Sequence, residues 1–221
     1  MGQLRQGNTG GRTMMNDRND IVVVDDSPAL LSVLSEIFKE HGYTVRTASD
    51  GFEALAVIRD REPGILISDL NMPGMSGFEL LSVVRRRFPA IAVIAMSGTY
   101  SDASLSSEIA ADSFYAKGST SAGGLLDILS KIEDEEVRYS RRTAAPIWIP
   151  GLPIQQDDPS RTAIACPECL RVFCHPLRNA VVQQEESHCP HCSCPVPLAV
   201  VRQPEGMDNT GFPKSTAAIQ C

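Results

Sequence analysis

The chain has 221 residues, of which 43% are hydrophobic, and a net charge of −7. That length allows one full domain plus a smaller one, the hydrophobic content excludes a wholly disordered chain, and the lack of any run of about 18 apolar residues excludes a membrane helix. Residues 1–19 carry three Arg and one Asp (+2) and residues 141–221 seven basic and seven acidic side chains (0), which leaves −9 for residues 20–140; no segment has the basic balance of a nucleic-acid footprint.

Residues 1–19 are rich in Gly, Asn, Arg and Gln without periodicity and read as a disordered tail. They hold no apolar segment resembling a secretory signal, so the cytoplasm is the expected location. From Asp20 onward, short aliphatic runs alternate with amphipathic segments. The runs are 21–24, 43–47, 65–68, 91–96 and 113–116, mostly uncharged and partly β-branched, as strands buried on both faces are.

Between them lie helix patterns. Ser27-Pro28 reads as an N-cap with proline at the first helical position, Leu30, Leu31, Leu34, Ile37 and Phe38 share one face, and Gly42 ends the segment. Ala54, Leu55 and Ile58 repeat the pattern, as do Phe78, Leu80, Leu81 and Val84. A Ser- and Ala-rich helix is expected near Asp102–Ala111, and Leu125, Leu126, Leu129 and Ile132 form the last face. Five strand–helix alternations argue an α/β fold with a five-stranded, parallel, doubly wound sheet over residues 20–139.

Residues 140–163 change character. Pro146, Pro150, Pro153, Gly151 and a polar run predict a linker that leaves its two neighbours separately stable. Ile147-Trp148-Ile149 is an apolar island within it, expected to pack on a neighbouring domain in preference to serving as a docking motif. A cysteine-rich module occupies 164–201, and 202–221 reads as a second disordered tail.

In parallel α/β sheets, chemistry collects at the carboxyl ends of the strands. The first strand ends in Asp25-Asp26, the third in Asp69, the fourth in Ser97 and the fifth in Lys117. Three carboxylates on one rim repel one another and call for a cation, and a hard divalent ion such as magnesium suits such oxygen donors. A carboxylate there can act as a nucleophile toward phosphorus, with Lys117 and Ser97 holding equatorial oxygens.

The blocks V-V-D-D-S, I-S-D-L-N-M-P-G-M-S-G, I-A-M-S-G and Y-A-K resemble the response-regulator receiver domain of two-component signalling, a CheY-like, flavodoxin-like fold, over about residues 19–132. The resemblance implies that Asp69 is the phosphoacceptor. It implies magnesium bound by Asp26, Asp69 and the Asn71 carbonyl, with Asp25 acting largely through water. Ser97 takes the switch-hydroxyl role, Lys117 the phosphoryl-binding role, and Phe114 matches the switch aromatic. Gly118 departs from the family, which usually has proline after the lysine, and so loosens the loop.

All seven cysteines follow residue 165. The pairs C-P-E-C (Cys166, Cys169) and C-P-H-C (Cys189, Cys192) are separated by 19 residues, a spacing that fits zinc better than disulfides in a chain without a secretory signal. Four thiolates make a closed tetrahedral zinc site, and a module this small depends on its metal to fold. Leu170–Phe173 and Asn179–Val182 are the expected hairpin strands, with Val196–Val201 a third. The module resembles the zinc-ribbon family, though Ser193 stands where a glycine is common. Cys174, His175, His188, His191 and Cys194 leave the ligand set open.

The expected function is that of a response regulator in a two-component phosphorelay. A sensor histidine kinase or phosphotransfer protein would supply the phosphoryl group, and the zinc module would signal by binding a downstream protein. The alternative is a phosphorylation-controlled transcriptional regulator whose ribbon binds nucleic acid. Arg171 and Arg178 against Glu168, Glu185 and Glu186 weigh against that alternative. No catalytic constellation follows residue 140, so an enzymatic output is not expected.

Overall fold

The computed structural model describes residues 19–99, 111–118, 122–134, 146–150, 161–176 and 184–201. Strands β1 (Asp20–Val24), β2 (Thr44–Ala48), β3 (Ile65–Asp69), β4 (Ala92–Ser97) and β5 (Ser113–Ala116) form one sheet in the order β2-β1-β3-β4-β5. Every pairing in it is parallel, with Val24 opposite Ser68 and Asp69 opposite Met96. The expected strands lie within two residues of the observed ones. The helix expected near Asp102–Ala111 falls almost wholly outside the described residues, as do both expected tails except Asn19.

Helices α1 (Pro28–Glu40), α2 (Gly51–Asp60), α3 (Gly77–Arg87) and α4 (Ala122–Asp134) cover the sheet. Alternate strand residues feed opposite faces, as the pleat requires. Ile21, Val23, Ile65 and Ile67 join Leu34 and Phe38 of α1 and Leu125 and Leu129 of α4. Val22, Val24, Leu66 and Val93 join α2 and α3 on the other face. At the start of β1 Asp20 is buried and held by Arg46 at 2.7 Å and Arg61 at 3.2 Å, which ties β1 to β2 and the end of α2. No helix among the described residues is long and apolar enough to cross a membrane.

The segment after α4 departs from the expected linker. Ile147–Pro150 is strand β6, and Arg161–Ala165 is β7. They are followed by β8 (Val172–Pro176), β9 (Gln184–His188) and β10 (Pro195–Val201). β6 pairs parallel with β10, β10 pairs antiparallel with β9, and β7 pairs antiparallel with β8. Prolines 146 and 150 bracket β6 without breaking it, because an edge strand leaves one side unpaired. Of the expected hairpin, only Val172 and Phe173 lie in a strand, Leu170 and Arg171 link the knuckle turn to it, and Asn179–Val182 lie outside the described residues.

The module is no separate body. Ile147, Ile149, Ile164, Phe173, Val196 and Leu198 are buried in the same core as α2 and α3. Nine of the eleven residues of α3 are buried as a result. A helix flanked by sheet on one side and solvent on the other would show only one apolar stripe.

Candidate functional site

The rim at the carboxyl ends of β1, β3, β4 and β5 gathers the expected residues. Asp25 and Asp69 are buried and Asp26 is exposed. Carboxylate oxygens of all three lie within 4.8 Å of one another. Lys117 Nζ sits 2.6 Å from Asp25 Oδ2 and 3.0 Å from Asp69 Oδ1, so one ammonium spans two carboxylates. The Ser27 amide donates to Asp25 Oδ1 at 2.9 Å, while the Ser27 hydroxyl caps α1 by accepting from Leu30 N.

The backbone holds Asp69 in place from both sides. Leu70 N donates to Met96 O at 2.9 Å, and Gly77 N donates to Leu70 O at 3.0 Å. Gly77 opens α3 so close to the strand end that a Cβ there would stand 2.0 Å from the Asp69 carbonyl oxygen. Any side chain at that position would push the helix off the end of β3.

Ser97 is fully buried, and its Oγ accepts from Thr99 N at 3.0 Å. Lys117 N donates to Ser97 O at 2.8 Å, which links the hydroxyl and ammonium positions. Phe114 is half-buried against the α2–α3 side of the core. Gly118 adopts φ 81°. A proline ring cannot adopt that angle, so the residue that replaces the family's proline also changes the turn.

Burial raises the pKa of Asp69 to about 6, against the pull of Lys117 and with a further push from Asp25. Lys117 shows the converse. Its burial works against the charge, but Asp25 and Asp69 outweigh it and hold its pKa above the ordinary lysine value. The site is short of positive charge for its carboxylates. Asn71 Oδ1 is buried without a hydrogen-bond partner among the described residues. Three close carboxylates and an exposed edge at Asp26 fit a hard, partly hydrated divalent cation.

The second cluster forms at two knuckles of one design. In the first, Cys166 N donates to Arg171 O and Leu170 N to Cys166 O; in the second, Cys189 N donates to Cys194 O and Ser193 N to Cys189 O. Each knuckle joins an antiparallel pair, β7 to β8 or β9 to β10. The Sγ atoms of Cys166, Cys169, Cys189 and Cys192 all lie within 4.8 Å of one another. Cys166 stands 3.6 Å from Cys192, and Cys169 stands 3.7 Å from Cys189. Tetrahedral ligands at about 2.3 Å from zinc would be about 3.8 Å apart, so the donor set fits.

Burial pushes the Cys166 thiol up to about 12. Burial also acts on Cys189, but amide donors at His191 and Cys192 and the neighbouring thiols outweigh it and lower that thiol to about 7. The remaining candidates stand outside the four. His175 Nδ1 meets Ser187 Oγ at 3.0 Å, His191 Nε2 meets Val172 O at 3.2 Å, and His188 is 3.8 Å from Glu186. Cys174 lies on β8, and Cys194 closes the second knuckle through its carbonyl.

Two residues on α3 escaped the sequence reading. Glu79 is fully enclosed, and its Oε1 accepts from Ala165 N at 2.9 Å. Burial drives its pKa up to about 8, against the opposing effect of that hydrogen bond. Ser82 Oγ accepts from Trp148 N at 3.2 Å. The available signal was an acid and a serine inside a largely apolar helix, which reads equally well as a solvated face.

Residues 21–129 match the response regulator receiver domain, and this part of the chain belongs to that family. The sporulation initiation phosphotransferase F of Bacillus subtilis is 32% identical over 84 residues, which is 38% of this chain and 66% of that protein. The DNA-binding response regulator MtrA of Mycolicibacterium smegmatis is 36% identical over 59 residues, 27% of this chain and 26% of that protein. The chain thus spans less than two thirds of either relative. The response regulator TrrA of Thermotoga maritima, solved in complex with Mg(2+)-BeF, is 33% identical and aligns with a TM-score of 0.47 over 51% of this chain and 97% of its own. Receiver domains typically bind magnesium at their acidic pocket and interact with sensor histidine kinases or phosphotransfer proteins.

Proposed function

We propose that this protein is a phosphorylation-dependent signalling protein in which Asp69 accepts a phosphoryl group. The observation that carries this reading is the Lys117 ammonium between Asp25 and Asp69 on the strand-end rim. An Asp69 carboxylate oxygen attacks phosphorus, a P–O bond to Asp69 forms, and the P–N or P–O bond to the donor breaks. The leaving group departs with the bonding pair and takes a proton from water or from its own protein. Lys117 keeps its charge and follows the developing negative charge on the phosphoryl oxygens, and Ser97 offers a hydroxyl to one of them. Asp25, Asp26, Asp69 and Asn71 would hold magnesium, which supplies charge neutralisation for the transferred group. The donor would be a sensor histidine kinase or phosphotransfer protein.

The cysteine module acts as a structural zinc unit, held by Cys166, Cys169, Cys189 and Cys192. Its output is contact with a downstream protein in the cytoplasm rather than catalysis. Two Arg against three Glu over 164–201, together with thiolate charge, give little to neutralise phosphates. The alternative, a DNA-binding output, draws on the relative MtrA. A salt-sensitive shift of duplex DNA at submicromolar protein, lost on chelation, would favour it over protein docking.

The test of the acceptor is labelling with a small phosphodonor in magnesium. Wild type is expected to label in an acid-stable, base-labile form, and Asp69→Asn to lose at least about 100-fold of it. Equal labelling of both would remove Asp69 from the role.

A further inference from the structure

One stripe of α3 belongs to neither the parallel sheet nor solvent. Glu79, Ser82, Val83 and Arg86 stand at i, i+3, i+4 and i+7, on one face of the helix. Every one of them meets the cysteine module or lies beneath it. Glu79 accepts from Ala165 N, the residue before the first cysteine. Ser82 accepts from Trp148 N of β6. Val83, on the same face, is fully buried. Arg86 Nε lies 3.5 Å from Glu168 inside the first knuckle. The opposite end of this connection is the acceptor strand, because Gly77, two residues before Glu79, is locked to Leu70 and pressed on the Asp69 carbonyl.

We propose that the cysteine module is a positioning element for the Asp69 site, with Glu79 as the positioning residue that couples metal loading at the four cysteines to binding at the acceptor rim. The inference rests on the phosphoacceptor and zinc readings above. The two states are a module folded on its metal and docked on α3, and a module released from both. Without metal, a unit of this size loses much of its stability. Release strips Glu79 and Ser82 of their amide partners and exposes Val83. The first turn of α3 then keeps its cap at Ser76, its bond to Leu70 and the core packing of Phe78 and Leu80, but loses its partners on the module side, and helix ends open more readily than helix interiors. That turn sets the position of the Asp69 loop, so its order is needed on the rim. By linkage, whatever tightens one site through α3 tightens the other by the same factor.

The test uses the full chain, zinc-loaded and then chelator-stripped under reducing conditions. Calorimetry measures binding of beryllium fluoride with magnesium to each form, and the single tryptophan, Trp148, reports undocking by its fluorescence. The stripped protein is expected to bind fluoroberyllate about tenfold more weakly, within the usual range of coupling between sites. In zinc-loaded protein, Glu79→Ala is expected to reproduce that loss and Glu79→Gln, which keeps the accepting oxygen, to avoid it. Ser82→Ala removes one amide partner without truncating a large buried side chain, and a loss of two- to threefold is expected. It decides the matter if stripping or Glu79→Ala unfolds the whole chain. Equal affinity in loaded and stripped protein, with Trp148 undocked, would overturn the coupling while leaving both sites standing. Absence of fluoroberyllate binding in the loaded form would remove the acceptor reading, and absence of bound zinc the metal reading, and the inference falls with either.

Discussion

Glu79 shows how one residue can look ordinary in sequence and exceptional in its surroundings. It stands three residues after the N-cap Ser76, whose hydroxyl accepts from its amide at 3.3 Å, the place where a capping acid is usual. The side chain turns instead into the interface and meets Ala165 N. With a pKa of about 8 in the folded protein and an ordinary value of 4.5, the unfolded chain holds fewer protons than the native one between those pH values. Stability therefore falls as pH rises from about 4.5 to 8 and levels off above. Glu79→Gln cannot titrate, so wild type minus variant isolates this contribution. Urea unfolding from pH 4.5 to 8 is expected to show wild type losing a few kcal/mol more stability than the variant across that window. Parallel pH profiles would mean that Glu79 is ionised in its site.

At the scale of elements, the five parallel strands were legible because buried strands need uninterrupted apolar, β-branched runs, and no competing structure uses them at that length. The strand-end rim followed from the strand ends alone: Asp25, Asp26, Asp69 and Lys117 meet there, with Ser97 tied to Lys117 through the backbone. The module was legible in its cysteines and in Val196–Val201, which lies within β10, but not in its other strands. Its strands are short and mixed, β9 reads Q-E-E-S-H, and β6 is bracketed by prolines that read as a linker. The fold of α3 was clear from Phe78, Leu80, Leu81 and Val84, but its second buried stripe was not, because Glu79, Ser82 and Arg86 are polar and pair with partners 66 to 86 residues away. Ser193 in place of glycine does not distort the second knuckle, since Leu170 at φ 55° and Ser193 at φ 59° occupy the same left-handed position in both. A non-glycine residue there costs about 1 kcal/mol. Ser193→Gly is therefore expected to stabilise the protein by up to about 1 kcal/mol, partly offset by the freer unfolded chain, with zinc stoichiometry unchanged. Thermal denaturation checks the sign, and a clear loss of stability would show that the Ser193 side chain contributes something beyond its backbone angle.

For the whole molecule, the sequence boundary near residue 139 and the structural boundary disagree. A receiver that ended there would expose the stripe Glu79, Ser82, Val83 and Arg86, and the carboxyl of Glu79 would lose the amide it meets. The module would lose the cover over Ile147, Ile149, Ile164 and Phe173, all buried in the shared core. Burying one such side chain contributes about 1.5–3 kcal/mol, and Val83 is only one of the receiver's own residues affected. Solvation of Glu79 on truncation works the other way, since an exposed carboxylate no longer bears the cost of burial. The apolar loss and the two broken hydrogen bonds outweigh it below pH 6, where the unfolded chain gains less from ionising that group. A chain truncated after residue 139 is thus expected to melt roughly 5–10 °C below the zinc-loaded full chain at pH 5.5. The full chain is expected to melt in a single transition that moves down on chelation. Calorimetry on both proteins is the measurement. Two independent transitions in the full chain, with the receiver's midpoint the same as in the truncated protein, would restore the picture of two domains on a linker.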